Sequence, residues 1–313
     1  MTGFPRSTGE RAVIVSCVNT IHLIDASPYL FRAWFSLPDM EAPEESDLAG
    51  APVSACYGWL SFLNRYLREE EPTHVAACFD ESLNTSFRND LYPEYKAQRE
   101  EPDEELVAQL DLCKQLAEAM GVRSFADDRY EADDLIGTLA NRFTLEGHDA
   151  VVVAPDKDLA QLVSDQVEFY DFAKGVRLDM EGVSEKWGVD AVQIPDFLGL
   201  AGDSVDNIPG VKGVGAKTAA AILAEFEDLD ALYSNLEAVA DLEVRGARTL
   251  GAKLEAEREM AFLSRTLATI ALDAPADADL KDLEWRGAEA ATMDELLGRL
   301  GFEKIRERIP RWR

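Results

Sequence analysis

The sequence predicts an α/β protein: a mostly parallel central sheet flanked by helices, followed by a mainly helical C-terminal region. Three observations carry this reading. Over residues 21–172 short apolar runs alternate with longer stretches of helical periodicity, the pattern of strands joined by helical crossovers. Three of those runs lead into a carboxylate, at Asp25, Asp80 and Asp156, where an open parallel sheet places its ligand sites. Beyond about Val183 the strand signals stop and short helical stretches take over. The expected divisions are an N-terminal extension over residues 1–20, an α/β core over 21–185 and a helical region over 186–313.

In chain order, Ile21 to Ile24 is a strand ending at Asp25, and Ala26 to Phe35 is the helix after it. Pro38 to Pro52 is an acidic loop. Val53 to Leu67 carries Cys56, Leu60, Leu63 and Leu67 at helical spacing. Thr73 to Phe79 is a second strand, ending at Asp80. Glu81 to Pro102 has little apolar periodicity. Glu104 to Met120 is an amphipathic helix stopped by Gly121. Val122 to Phe125 is a strand, Glu131 to Phe143 a helix, Asp149 to Ala154 a strongly apolar strand, Leu159 to Val163 helical and Val167 to Phe172 extended. Helices are expected at Ala191 to Leu200, Ala216 to Phe226, Leu229 to Tyr233, Arg248 to Thr266 and Met293 to Leu300, with Ala274 to Asp282 an acidic, Ala-rich linker.

Composition narrows the function. A chain of 313 residues, 47% of them hydrophobic, can bury one large core or two modest ones. No apolar run is long enough for a membrane span, and the polar N-terminus does not read as a secretory signal. Cys17, Cys56, Cys78 and Cys113 are scattered, without a C-x-x-C pair, which fits thiols in a reducing cytoplasm. The three histidines, His22, His74 and His148, never pair, which argues against zinc. The net charge of −29 runs against the usual basic balance of a nucleic-acid binder. Any such contact must come from local basic patches and weaken with salt. Part of the excess negative charge is a solvated face.

The remainder lies in nine clustered carboxylates: Asp25; Asp80; Glu131, Asp133 and Asp134; Asp156 and Asp158; Asp203 and Asp206. Each cluster has a plain alternative. Acidic residues in a first helical turn favour the helix dipole, and a lone Asp after a strand is an ordinary turn residue. Three carboxylates in four positions, with Glu131 and Asp134 on one helical face, instead repel one another unless a cation sits between them. Hard divalent ions, Mg²⁺ or Mn²⁺, suit such oxygen ligands, and a two-metal carboxylate site is apparatus for cutting phosphodiesters. The stretch D-S-V-D-N-I-P-G-V-K-G-V-G-A-K-T, residues 203–218, adds a G-x-G turn at Gly213 and Gly215 before a helix. Exposed N–H groups there can hold phosphate, with Lys212 and Lys217 adding positive charge.

These motifs resemble the 5′-nuclease, or flap endonuclease, superfamily. The similarity is to the bacterial 5′–3′ exonuclease domain that heads DNA polymerase I and to its free-standing relatives. It is carried by L-I-D-A-S, F-D-E-S with S-F-R, Y-K-A-Q-R, E-A-D-D, D-K-D-L-A-Q-L-V and the 203–218 stretch, and covers roughly Ile21 to Ile270. The sequence ends at Arg313 without a polymerase region, and a free-standing form and a piece of a longer protein both stay open. Pro155 stands where many relatives have Gly, and Gln98 where Asn is common; neither removes a ligand.

The resemblance implies that Asp25, Asp80, Glu131, Asp133 and Asp134 form one metal cluster and that Asp156, Asp158, Asp203 and Asp206 complete a second. Lys96 and Arg99 would be the basic pair of a helical arch around Leu83 to Arg99, neutralising the scissile phosphate. Phe87, Arg88 and Tyr95 would meet single-stranded DNA, Phe87 or Tyr95 by stacking, with core packing the alternative for these aromatics. Gly210, Lys212, Gly213, Val214, Gly215, Lys217 and Thr218 would form a helix-three-turn-helix that grips duplex DNA, often with a bound K⁺. The expected activity is structure-selective hydrolysis of DNA at free 5′ ends, flaps or nicks, leaving a 5′-phosphate and a 3′-hydroxyl. The expected state is a monomer with no membrane association and no small-molecule substrate. A non-catalytic branched-DNA binder of the same fold is the alternative. A PIN-type RNase shares the acidic cluster but gives no reason for the glycine turn.

Overall fold

The structure, a computed structural model, describes residues 18–81, 85–99 and 102–313. Most of the expected N-terminal extension, with Cys17, and Leu83 of the expected arch lie outside the described residues.

Strand β1 (Thr20–Asp25) is the middle of the sheet. Helices α1 (Ser27–Ser36) and α2 (Ser54–Glu70) lead to β2 (His74–Asp80). Next come α3 (Phe87–Leu91), α4 (Glu104–Ala119), β3 (Arg123–Asp127), α5 (Ala132–Leu145) and β4 (Asp149–Val153). A 3₁₀ turn at Asp158–Leu162 precedes β5 (Val167–Asp171) and β6 (Val176–Leu178). The strand order is β3-β2-β1-β4-β5-β6, parallel except for β6, which runs antiparallel along β5. The edge strand β6 has no counterpart in the sequence reading.

The strands carry apolar residues on both faces because both faces are covered. Ile21, Leu23, Cys78 and Val152 pack with Leu135, Leu139 and Phe143 of α5. Ile24, Ala77, Phe79 and Val153 pack on the other side with Trp59, Leu63 and Leu67 of α2 and Leu116 of α4. His22 is buried on the second face, its Nδ1 2.5 Å from the Tyr66 hydroxyl.

The helical part contains α6 (Met180–Trp187), α7 (Ile194–Ala201), α8 (Ala216–Leu223), α9 (Leu229–Ser234), α10 (Ala247–Ala256), α11 (Arg258–Ala268) and α12 (Ala290–Leu300). Two expectations need correction here. Arg248 to Thr266 is two helices, parted at Glu257. The stretch over 274–282 is not a free linker. Ala274, Ala276 and Ala278 are buried, Thr138 on α5 accepts the Ala274 N–H, and Arg142 pairs with Asp277. The small side chains let this strap lie flat on α5 while its carboxylates stay wet. The chain then returns to the sheet: Val75 N–H donates to the Leu283 carbonyl, Trp285 N–H to that of Thr73, and the Trp285 indole to that of Met120. α12 closes the core over α4.

Candidate active site

In this sheet the strand order reverses between β1 and β4, so the crevice for a ligand opens at their carboxyl ends. Asp25 ends β1, Asp80 ends β2, and Asp156 lies just past β4. The crevice is a cavity of about 530 Å³ lined by six of the nine expected carboxylates: Asp25, Asp80, Glu131, Asp133, Asp156 and Asp206. Lys96 and Arg99 share its wall. Phe31, Trp34 and Phe35 of α1 form an apolar side that the sequence reading missed. The F-x-x-W-F spacing on the helix after Asp25 was the available signal; Phe35 is 79% exposed.

The N-terminus of α5 positions three of the carboxylates. Glu131 is its N-cap, in a capping box with Asp134, whose Oδ2 accepts the Glu131 N–H at 3.0 Å. Asp80 Oδ1 accepts the N–H of Ala132 at 2.9 Å, and Ser27 Oγ accepts the Asp80 N–H at 3.0 Å, tying the start of α1, the end of β2 and α5 together. Asp133 faces the cavity, but Asp134 does not. Its fully buried carboxylate is held by both arms of Arg88, at 2.7 and 2.8 Å, and accepts the Ala271 N–H at 2.8 Å. Asp134 is therefore spent inside the protein and is corrected from metal ligand to internal anion.

Arg88 is corrected with it. It is 3% exposed, donates to the carbonyls of Leu267 and Thr269, and is unavailable to DNA. Tyr95 is 3% exposed, its hydroxyl turned inward to Glu131 and Asp206 rather than standing open to a base. Phe87 is half-buried against Tyr130. Among the described residues 85–99, the expected arch contains one short helix, α3, followed by turns.

Asp203 and Asp158 do not line the cavity. Asp203 is buried in an ion pair with Lys157 and accepts the Val205 N–H. Asp158 Oδ1 is buried without a partner. Lys96 Nζ lies 2.7 Å from Glu131 and 3.6 Å from Asp206, and Arg99 pairs with Asp206.

Electrostatics set the carboxylates apart. Burial, then Asp80 and Asp156, push the Asp25 carboxyl well above the usual range. Burial, then Asp25 and Asp156, do the same to Asp133. Burial and Asp156 push Asp158 up to about 8. Glu131 goes the other way: burial alone would raise it, but Lys96 and Arg88 hold it down at about 2. Asp25 Oδ1, like Asp158 Oδ1, is buried without a partner. Mutually repelling, under-satisfied oxygens are the donor set a hard divalent cation fits. Among the described residues no three of these groups already stand in the geometry of a formed metal sphere. The lysine inside the cluster supplies positive charge in its place.

The glycine turn follows the 203–208 loop, whose Asp206 lines the cavity. Asp203 and Ile208 exchange both backbone hydrogen bonds, at 2.9 and 2.7 Å, closing the D-S-V-D-N-I loop. Gly210, at φ 63°, donates to Ser264 Oγ, and a Cβ on it would sit 2.3 Å from the Gly202 nitrogen, so only glycine fits. Val211 and Val214 anchor the turn in the core, which removes Val214 as a direct DNA contact. Lys212, Gly213, Gly215 and Lys217 remain exposed at the start of α8, with Thr218 half-buried. Lys253 of α10, which the sequence did not single out, comes to the same turn, its Nζ 3.7 Å from where a Gly213 Cβ would be.

A parallel sheet with a carboxylate cleft at its strand ends, joined to a helical domain with an exposed glycine turn, defines a nuclease of the hydrolase class. Two sequence profiles match, described as "5'-3' exonuclease, N-terminal resolvase-like domain" over residues 20–188 and "5'-3' exonuclease, C-terminal SAM fold" over residues 189–291. The chain belongs to the 5′-3′ exonuclease family. It is 38% identical over 291 residues to DNA polymerase I of Bacillus caldotenax, covering 92% of this chain and 32% of that protein. It is 40% identical over 262 residues to DNA polymerase I of Pseudomonas aeruginosa, covering 83% and 28%. The chain thus spans about a third of the length of these relatives. In fold it is similar to zinc-bound T5 5'-exonuclease, with a TM-score of 0.64 and 20% identity over 92% of this chain and 99% of that one. The catalytic core of Rad2 with DNA substrate follows at a TM-score of 0.62 and 15% identity, covering 93% and 91%.

Proposed function

We propose that this chain is a divalent-metal-dependent, structure-selective 5′–3′ exonuclease and flap endonuclease acting on DNA with free 5′ ends, flaps or nicks. The observation that carries this reading is the convergence of six carboxylates from β1, β2, α5, the end of β4 and the 203–208 loop on one cavity that also holds Lys96 and Arg99. Asp25, Asp80, Glu131, Asp133, Asp156 and Asp206 would hold two cations, Mg²⁺ or Mn²⁺, with Asp158 and Asp203 in support. When bound, such ions lower the pKa of water toward ~7 and offset charge on the leaving oxygen.

The protein's own part is placement and charge. Lys96 and Arg99 meet the scissile phosphate and offset its growing negative charge. Water adds to phosphorus as the P–O bond to the 3′ oxygen breaks. That oxygen leaves with a proton, giving a 5′-phosphate and a 3′-hydroxyl. The exposed face of Phe31, Trp34 and Phe35 suits unpaired bases beside the cut. Lys212, Lys217 and the N–H groups of Gly213, Gly215 and Ala216 suit the phosphates of the downstream duplex, a contact without sequence readout. A K⁺ at that turn belongs to the same proposal, and exchanging K⁺ for Na⁺ tests it through DNA affinity. The protein is proposed to act as a monomer in the cytoplasm, in replication and repair. Cys56, Cys78 and Cys113, all buried free thiols, support a reducing compartment.

The test is a 5′-labelled flap incubated with Mg²⁺ or with EDTA, beside Asp133→Asn. Cleavage near the junction that needs Mg²⁺ and Asp133 is the expected result. Binding without cleavage would replace this reading by the branched-DNA binder.

A further inference from the structure

The 94–99 segment is stitched to the 203–208 loop. The Lys96 N–H donates to the Asp206 carbonyl at 3.1 Å, and Gln98 Nε2 donates to the Val205 carbonyl at 2.8 Å and to that of Ser204 at 3.3 Å. Asn207 Nδ2 donates to the Glu94 carbonyl at 2.6 Å, and Arg99 pairs with Asp206 at 2.5 Å. Lys96 is held at φ 54°, a left-handed conformation that a long side chain adopts only when its surroundings enforce it. The strained residue is the one whose ammonium enters the carboxylate cluster, at Glu131 and Asp206.

We infer that Lys96 is a built-in competitor for the divalent cation, and that metal binding at Glu131 and Asp206 releases the seam between residues 94–99 and 203–208. The inference rests on the metal-dependent reading above and adds the regulation of that site. The ammonium and the cation draw on the same two carboxylates, so each weakens the other's hold. Freed from Glu131, Lys96 loses the ion pair that offsets its backbone strain, and the segment detaches. The cationic side chains are then available to a phosphate only once the metal is in place. The coupling is reciprocal: whatever loosens the seam tightens metal binding.

Two measurements on the full chain without DNA test this. Calorimetric titration with Mn²⁺ should show Lys96→Met binding about fivefold or more tighter than wild type. Gln98→Ala, which alters no charge, should gain about twofold through the loosened seam. Hydrogen exchange of the 94–99 amides should speed up on adding Mg²⁺, while the sheet amides slow. Equal or weaker Mn²⁺ affinity in Lys96→Met overturns the competition. No gain in Gln98→Ala, or 94–99 amides slowed by Mg²⁺, overturns the coupling. A wild-type protein that takes up no Mn²⁺ removes the metal-dependent reading itself, so the two failures are distinguishable.

Discussion

Arg88 grips Asp134 with both arms, Nη1 to Oδ2 at 2.7 Å and Nη2 to Oδ1 at 2.8 Å, with neither side chain more than 3% exposed. The pair fastens α3 to α5, and Arg88 reaches on to the end of α11 through Leu267. Removing one partner leaves an uncompensated buried charge. Arg88→Leu is expected to destabilise the fold by about 3–5 kcal/mol in denaturant titration. Asp134→Asn should also destabilise, yet keep the wild-type number of Mn²⁺ ions per chain. A loss of bound metal with unchanged stability would return Asp134 to the ligand set.

Asp133 is expected to behave in the opposite way. Its carboxylate is held above the usual range by burial and by Asp25 and Asp156, so its charge costs the native state stability. Asp133→Asn should raise the melting temperature in EDTA while lowering cleavage by about 10²-fold or more, at least about 2.7 kcal/mol of barrier. Equal melting temperatures in EDTA would mean that the repulsion is relieved some other way.

The glycine turn separates two kinds of glycine. Gly210→Ala forces a Cβ against the Gly202 backbone at φ 63° and should cost about 1–3 kcal/mol, seen as a lower melting temperature. Gly215→Ala meets open space and should leave stability unchanged. If both were tolerated, the close packing of residues 202 and 210 would not matter to the fold.

Lys212 and Lys217 are exposed beside that turn. Alanine at either should weaken duplex binding uniformly across sequences and reduce the salt slope of log K by about 1. An unchanged slope would remove that lysine from the phosphate contacts.

His22 gives a pH signature away from the cavity. Burial, then Arg177, lower its pKa from 6.5 to about 4. The folded state therefore favours the neutral ring. The stability this provides is complete above pH 6.5 and is lost as the pH falls from 6.5 toward 4, about 3 kcal/mol in all. Urea midpoints measured across that window should fall less steeply in His22→Asn than in wild type. Parallel curves would place the titration elsewhere.

The sequence by itself determined the order of the five parallel strands and of most helices, the carboxylates at strand ends, the glycine turn and the family. Those signals are local: apolar runs, an Asp after a strand, and glycines where a side chain will not fit. Tertiary structure decided which carboxylates share a cavity. Successive residues on a helix turn by about 100°. Asp133 at the start of α5 therefore faces the strand ends while Asp134 turns inward to a partner 46 residues away. Nothing in E-A-D-D announces that partner. The same holds for Tyr95, drawn inward by Glu131 and Asp206, and for Ala274, Ala276 and Ala278, which read as a linker until α5 is there to receive them. A charge or an alanine is ambiguous alone, because its energy depends on what the folded chain brings within a few ångströms of it.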